Sequence, residues 1–529
     1  MCIAGGIALN TEEQKNFKAP PQSYWIASTP TTDYPALNED MNVEVLIIGG
    51  GITGISCAYF LKKEGLKVAV LEADRIAQGT TGHTTAKITS QHNLIYSKIK
   101  TQMGEELARQ YADANEFAIK EIKRVADDNN IECDYVPQSA FVYTQQEEYI
   151  QKISDEVKAA SSLGIEAFFT ETIPFPISVK AAVRFDNQAQ FHPRKYLLAL
   201  AKNIYDDGVP IFENSRAVDI EESSRYIIKT DRGKKVTAEK VVIASHYPFY
   251  NKPGLYFTRI FSERSYVVAV KAKEKYPGGM YISAEEPARS LRYQDSESGE
   301  LILVGGDHHK TGQGKDTTKH YETLIDFANS IFTVEDIPFR WSTQDCMTMD
   351  GLPYVGNFTS DTPNMYIATG FGKWGMTNSM ASAVIIKDLI VKGKSPWQDV
   401  YNPSRKTIIA SAKNFIVENF NVAEQLLDGK LSLPPEDVDI KPGEGKVIKA
   451  DGKRAGAYKD EQGTLHVVNT TCTHMGCELN WNSAEKTWDC PCHGSRFSYE
   501  GKIVEGPAVK PLTVSNDVNT VEKLLKDDY

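Results

Sequence analysis

The stretch "TCTHMGCELNWNSAEKTWDCPCHGS" (471–495) contains four cysteines and two histidines, half of the chain's 8 cysteines. Cys472 and His474 form a Cys-x-His pair, and Cys490 and His493 a Cys-x-x-His pair. Two thiolates and two imidazoles satisfy a tetrahedral zinc ion. They equally satisfy a [2Fe–2S] cluster in which imidazoles replace thiolates on one iron. Cys477 and Cys492 are left over, one beside each pair. A second constellation lies in "VEVLIIGGGITGISCAYFLKKEGLKVAVLEA", which reads as strand, glycine turn, helix, strand and acid. Gly49-x-Gly51-x-x-Gly54 between a strand and a helix turns amide N–H groups toward a pyrophosphate. Glu72 at the end of the second strand is placed for a ribose hydroxyl.

The first constellation closely resembles the Rieske family, in the form with a disulfide between its ligand loops. Cys-Thr-His-Met-Gly-Cys and Cys-Pro-Cys-His-Gly-Ser stand here, and "GPAVKPL" resembles the proline-containing loop that covers the cluster. The resemblance implies a one-electron [2Fe–2S] centre ligated by Cys472, His474, Cys490 and His493, with Cys477 and Cys492 as the disulfide partners. Ser495 matches the serine whose hydroxyl donates to a cluster sulfur in high-potential members. Phe497 replaces the tyrosine that donates to a ligand thiolate in those proteins.

The second constellation is compatible with NAD or FAD, and the downstream segments favour FAD. "RIAQGTTGHTTAK" resembles the second phosphate-contacting segment of the D-amino-acid-oxidase and glycine-oxidase family, bringing in Thr80, Thr81 and Gly82 as cofactor contacts. "KVVIAS" resembles the strand that closes the FAD domain there. "TMDGLPYVG" followed by "YIATGFGKWGMTNSMASAVIIKDLI" resembles the carboxy-terminal flavin segment. Gly370, Gly372 and Gly375 also fit a dinucleotide pattern, but no second strand ending in an acid comes after them. The resemblance instead sets that helix N-terminus at the flavin pyrimidine edge, where its dipole favours the anionic reduced form. In the branch with covalent FAD, "GTTGH" puts His83 at the attachment position.

The elements that position these groups imply an α/β FAD-binding Rossmann-type domain with an inserted α+β substrate domain, then a small all-β Rieske domain. The expected organisation is an extended arm over 1–42, the oxidoreductase over 43–425, a linker over 426–442 rich in Pro, Gly and charge, and the Rieske domain over 443–529. Amphipathic helices are predicted over 95–129, 147–162 and 377–392, and strands dominate 209–243 and 265–306. Of 529 residues, 41% are hydrophobic and 24% charged, a globular composition. The net charge of −11 excludes nucleic acid and an anionic membrane as main partners. No apolar run approaches the roughly 20 residues of a membrane span. Cys2, Cys57, Cys133 and Cys346 are scattered as buried thiols would be, and a cytoplasmic setting is expected.

A flavin accepts two electrons together and releases them singly, whereas a Rieske cluster accepts one. Joining both in one chain keeps the cluster concentrated near the flavin. Rieske potentials of roughly −150 to +300 mV make that flow downhill over most of the range. The expected function is a dehydrogenase oxidising a C–N bond of an amine-type small molecule, with a downstream one-electron acceptor protein or quinone. The competing reading is a flavin/Rieske reductase feeding a separate oxygenase, which requires a nicotinamide site. Arg292, Lys373 and Trp374 are expected at the active site, with Arg289, His308 and His309 on a neighbouring strand pair. In glycine oxidase and close relatives an arginine before Asp-Gly-x-Pro clamps the substrate carboxylate. Here Asp345 stands at that position, which favours a cationic substrate.

Overall fold

The computed structural model describes residues 20–250, 253–314, 316–405, 408–431, 439–450 and 453–514. The apolar run after Asn42 becomes β1 (Met41–Ile48), its second half fully buried because both faces of the strand are covered. The glycine turn leads into α1 (Ile52–Lys63), and β2 (Val68–Leu71) returns parallel to β1. β3 (Lys235–Ile243) lies parallel on the other side of β1. The sheet runs Tyr354–Asn357, Met365–Thr369, β3, β1, β2, Ile211–Phe212, which is the expected doubly wound dinucleotide-binding arrangement.

The second sheet is largely antiparallel. At one edge, β4 (Ile260–Ala272) pairs with β5 (Val334–Thr348) over almost its whole length. Gly299–Lys310, Arg289–Ser296 and Met280–Ser283 come next, and Val136–Thr144 continues the sheet parallel to the last of these. Lys87–Ile88, at the far end of this path, comes from the Gly/Thr-rich segment, so the substrate sheet grows directly out of the dinucleotide domain. α2 (Gly375–Lys392) then packs on α1.

Several expectations change in detail. The helix predicted over 95–129 is two helices, Tyr96–Met103 and Glu105–Asp128, broken at Gly104, whose φ of +90° no helix accommodates. The helix over 147–162 starts with a 3-10 turn, Glu147–Tyr149. The described part of the expected arm is not extended: Tyr24–Ala27 is a short helix and Trp25 is fully buried, its indole N–H donating to the Thr84 carbonyl at 2.7 Å. Residues 1–19 of that arm lie outside the described residues. The expected linker is partly helical, because α3 (Ile408–Leu431) runs into it. Val422 and Leu426 explain this, since both pack on the core around the cluster ligands. Of the linker, 432–438 lie outside the described residues.

The last fold has two small antiparallel sheets. Gly445–Ala450, Lys453–Lys459 and Leu465–Asn469 form one, and Asn480–Asn482, Thr487–Asp489, Arg496–Ser498 and Ile503–Glu505 the other. Its core of Leu479, Trp488, Phe497 and Leu512 encloses the cysteines. This fold is docked on the substrate domain by buried and part-buried polar contacts. The Thr317 hydroxyl donates to Asn482 at 2.7 Å, the Tyr321 hydroxyl to Glu485 at 2.8 Å, and Asn480 to the Gly312 carbonyl at 2.8 Å.

Candidate functional site

A cavity of about 580 Å³ opens at the carboxyl ends of β1, β2 and β3. Gly49 and Gly51 line it, on a turn whose glycines leave no room for side chains. A Cβ on Gly49 (φ +117°) would stand 2.4 Å from the Ala244 carbonyl oxygen, and one on Gly54 would stand 1.8 Å from the Gly49 oxygen. Gly51 precedes α1, and a Cβ there would meet Thr81 Oγ1 at 3.2 Å. That hydroxyl also accepts from the Ile52 N–H, tying the glycine turn to the Gly/Thr-rich segment. Glu72 accepts from the Gly50 and Asp74 N–H groups at 2.7 and 3.0 Å, and burial raises its carboxyl above the usual range. A bare backbone turn at a helix start with an acid beside it fits a dinucleotide.

Thr80, Thr81 and His83 line the cavity, whereas Gly82 is outside its wall and accepts from the Ser23 hydroxyl. Gly372 and Gly375 line it too. Gly370 instead serves the turn, since a Cβ there would lie 2.3 Å from Thr348 Cγ2. The His83 Nδ1 faces the Gly79 carbonyl at 2.9 Å, and burial lowers the pKa of the ring. We expect non-covalent FAD: acid precipitation should leave the yellow flavin in the supernatant. A yellow pellet would establish attachment.

Asp345, Lys373 and Trp374 meet at the cavity wall. The Lys373 ammonium donates to Asp345 at 3.0 Å, Ser265 at 2.9 Å and Glu263 at 3.2 Å. Burial works against its charge, but Asp345 and Glu263 outweigh burial and raise its pKa. Asp345 thus pairs with Lys373 and also accepts from the Ser265 hydroxyl. Trp374 stacks on His92, with ring centroids 5.0 Å apart, and His92 is in turn fixed by the Tyr111 hydroxyl. His308 lines the cavity, 3.8 Å from Glu263.

Arg292 is a correction. It is fully buried outside the cavity, and its guanidinium donates to the carbonyls of Thr85, Ala86, Phe191 and Tyr293 and to Gln294. It lies one pleat beyond the cavity-lining Ser290, where main-chain carbonyls use up its donors. Arg289 and His309 also stay outside the wall: Arg289 approaches Asp307, and His309 stacks on His320 and meets the Tyr266 hydroxyl. A residue that sequence reasoning passed over is Lys87, which lines the cavity and donates to Ser290 and to the Tyr281 carbonyl. Burial, helped by nearby Arg292, lowers its pKa to about 7. Its only signal was its position at the end of the Gly/Thr-rich segment.

The cysteine and histidine residues converge as the spacing demands. Cys472 and Cys490 are buried free thiols close enough to hydrogen-bond, which draws Cys472 below its ordinary value. The His474 and His493 ring centroids are 5.0 Å apart, and burial lowers both imidazoles, to about 4 and about 3. Metal ligation requires neutral imidazoles. His493 Nδ1 is buried with no hydrogen-bond partner among the described residues, as a nitrogen reserved for iron would be. Cys477 and Cys492 form a disulfide between the two ligand loops. The residues fit a two-thiolate, two-imidazole cluster.

Ser495 is within hydrogen-bond reach of Cys472, and Phe497 is buried in the same core with no donor to offer. A hydrogen bond to a charged group is worth about 1.5–3 kcal/mol, and about 1.4 kcal/mol corresponds to roughly 59 mV for one electron. Phe497→Tyr is therefore expected to raise the cluster midpoint by roughly 60 mV or more. Protein-film voltammetry checks this, and an unchanged midpoint would remove the argument.

The family model for FAD dependent oxidoreductases matches residues 44–389, and that for the Rieske [2Fe-2S] domain matches residues 433–521. The chain belongs to the FAD-dependent oxidoreductases and carries a Rieske domain after the flavin fold; its cofactors are FAD and a [2Fe–2S] cluster. It is 46% identical over 496 residues to "Putative Rieske 2Fe-2S iron-sulfur protein YhfW" of Bacillus subtilis, covering 94% of this chain and 97% of that one. It is 23% identical to the gamma-glutamylputrescine oxidoreductase of Escherichia coli, over 70% of this chain and 88% of the other. Glycine oxidase from Geobacillus kaustophilus superposes with a TM-score of 0.59 at 18% identity, covering 69% of this chain and 99% of that one. No helix among the described residues is long and apolar enough to cross a membrane.

Proposed function

We propose that this oxidoreductase oxidises a C–N bond of an amine-type substrate lacking a carboxylate at the Asp345 position, and passes the electrons singly through the Rieske centre to a downstream one-electron acceptor. When bound, FAD takes up a hydride from such a substrate and the cluster carries one electron at a time. The observation that carries the substrate reading is the saturation of Lys373. An ammonium has three N–H donors, and here Asp345, Ser265 and Glu263 accept them. The lysine therefore offers no free donor to a substrate carboxylate. Two carboxylates against one ammonium leave an excess negative charge beside the cavity, which attracts a cation and repels an anion. Trp374, fixed from behind by His92, adds a flat wall next to this group. The E. coli relative is by its name an oxidoreductase of gamma-glutamylputrescine, and oxidation of an amine is the reaction class proposed for this chain.

The experiment is anaerobic flavin reduction by paired amines with and without a carboxylate. For amines without one, Asp345→Asn should lower kcat/KM at least tenfold, about 1.4 kcal/mol, and narrow the preference over the carboxylated partners. A Lys87→Met variant supplies the opposing arm, because Lys87 is the other lysine of the wall. If simple amino acids reduce the flavin best, and only Lys87→Met impairs them, the cation-site reading fails.

A further inference from the structure

The cavity is not closed by the flavin fold alone. Residues 503–509, the last strand of the Rieske fold and the turn after it, form part of its wall together with the glycine turn's own domain. We propose that this segment is a component of the FAD site, so that FAD and the docked Rieske domain stabilise each other.

The segment is held from three directions. The Arg264 guanidinium on β4 donates to Glu505 at 2.9 Å, and Arg496 donates to the same oxygen at 2.9 Å. Arg264 is 2% exposed and the Glu505 side chain 22%, so this charge pairing is largely shielded from water. Burial alone would raise the Glu505 carboxyl, but the two guanidiniums more than offset it and hold it at about 2. On its other side the Ala508 N–H donates to the Ser495 hydroxyl at 3.0 Å, the hydroxyl that reaches the ligand Cys472. One short segment therefore touches the cluster ligands' surroundings and the flavin cavity at once.

Gln344 on β5 makes the same connection a second time. Its carbonyl faces the His246 Nε2 at 2.9 Å and accepts from the Thr80 hydroxyl at 3.4 Å, both on cavity loops of the dinucleotide domain. Its side-chain amide donates to the Gly494 carbonyl at 3.0 Å, next to ligand His493. The occupant of this end is the dinucleotide, because Glu505 lines the same cavity as His83 and His246, which sit on the loops after β2 and β3. A ligand bound between two walls stabilises the docked state by mass action, and the effect is reciprocal.

The test uses the full chain with its cluster intact, produced free of FAD by riboflavin limitation and then loaded with FAD. Hydrogen–deuterium exchange should slow at least tenfold in a peptide spanning 503–509 on loading, alongside the expected slowing at 49–54. Slowing at 49–54 with no change at 503–509 overturns the proposal. Glu505→Gln keeps the shape and removes the charge. Among molecules whose cluster is verified by EPR, it should weaken FAD binding about tenfold by flavin fluorescence titration, and an unchanged affinity also counts against the proposal. If Glu505→Gln fails to accumulate, exchange in the wild-type chain still decides. Neither readout involves substrate, so the amine reading stands or falls separately.

Discussion

Gly54→Ala is expected to yield a chain that retains its cluster and binds FAD at least a hundredfold more weakly. The added methyl would sit 1.8 Å from the Gly49 carbonyl oxygen and 3.2 Å from Ile47 Cγ2. No rotamer relieves this, since the clash is between Cβ and backbone. The turn must open, yet the Gly49 N–H is bonded to the Leu71 carbonyl at 2.8 Å and the Ile55 N–H to the Gly51 carbonyl at 3.0 Å. Movement at this place withdraws the amide groups that would hold the pyrophosphate. A hundredfold loss is about 2.8 kcal/mol, a modest share of what such a displaced turn forfeits. FAD per chain after gel filtration, with iron content as the internal reference, measures it. Stoichiometric FAD in the variant would mean that this turn does not hold the cofactor.

The second large effect is expected from Cys477→Ala/Cys492→Ala. The disulfide closes a loop with a sequence separation of 15, and such a closure contributes about 3 kcal/mol through the entropy of the unfolded chain. Both cluster ligand pairs lie on the loops it joins. We expect the cluster to be lost much faster on mild warming, read as decay of its EPR signal, with the thermal transition of the Rieske fold lowered. The double variant is the informative one. The Cys477, Cys490 and Cys492 sulfurs all lie within 4.8 Å of one another, so a single substitution would free a thiol beside a ligand and invite mis-ligation. Unchanged cluster lifetime in the double variant would make the bond incidental.

The parts legible in the amino-acid sequence are those whose chemistry is local. A glycine turn needs its three glycines at fixed offsets, and a cluster needs its thiolates and imidazoles on two short loops. Side chains that meet only through the fold were not legible. Arg292 and Lys87 illustrate this: both are basic and on strands, and only the pleat and the neighbouring carbonyls decide which reaches the cavity. Asp345 could be placed near the flavin by resemblance, but its pairing with Lys373 joins residues 28 apart along the chain. Arg264 and Glu505 carry no motif at all, being separated by 241 positions. The end of the helix Ile408–Leu431 reads as the start of a linker because glycine and charge there resemble a tether, while the burial of Val422 and Leu426 that forms it belongs to another domain.

That helix changes how the two halves meet. A flexible tether would let the cluster domain search for its docking face, and each meeting would depend on linker length and on solvent viscosity. α3 instead acts as a strut: Val422 and Leu426 seat it in the cluster core, Cys492 Sγ stands 3.9 Å from the Val422 carbonyl, and Lys310 on the substrate sheet grips Glu418 at 2.7 Å. With the strut in contact with both folds, the two cofactor sites are kept at a single separation. On the proposed reading, traffic between them is governed by that fixed span and by driving force, and thickening the solvent should leave it unslowed.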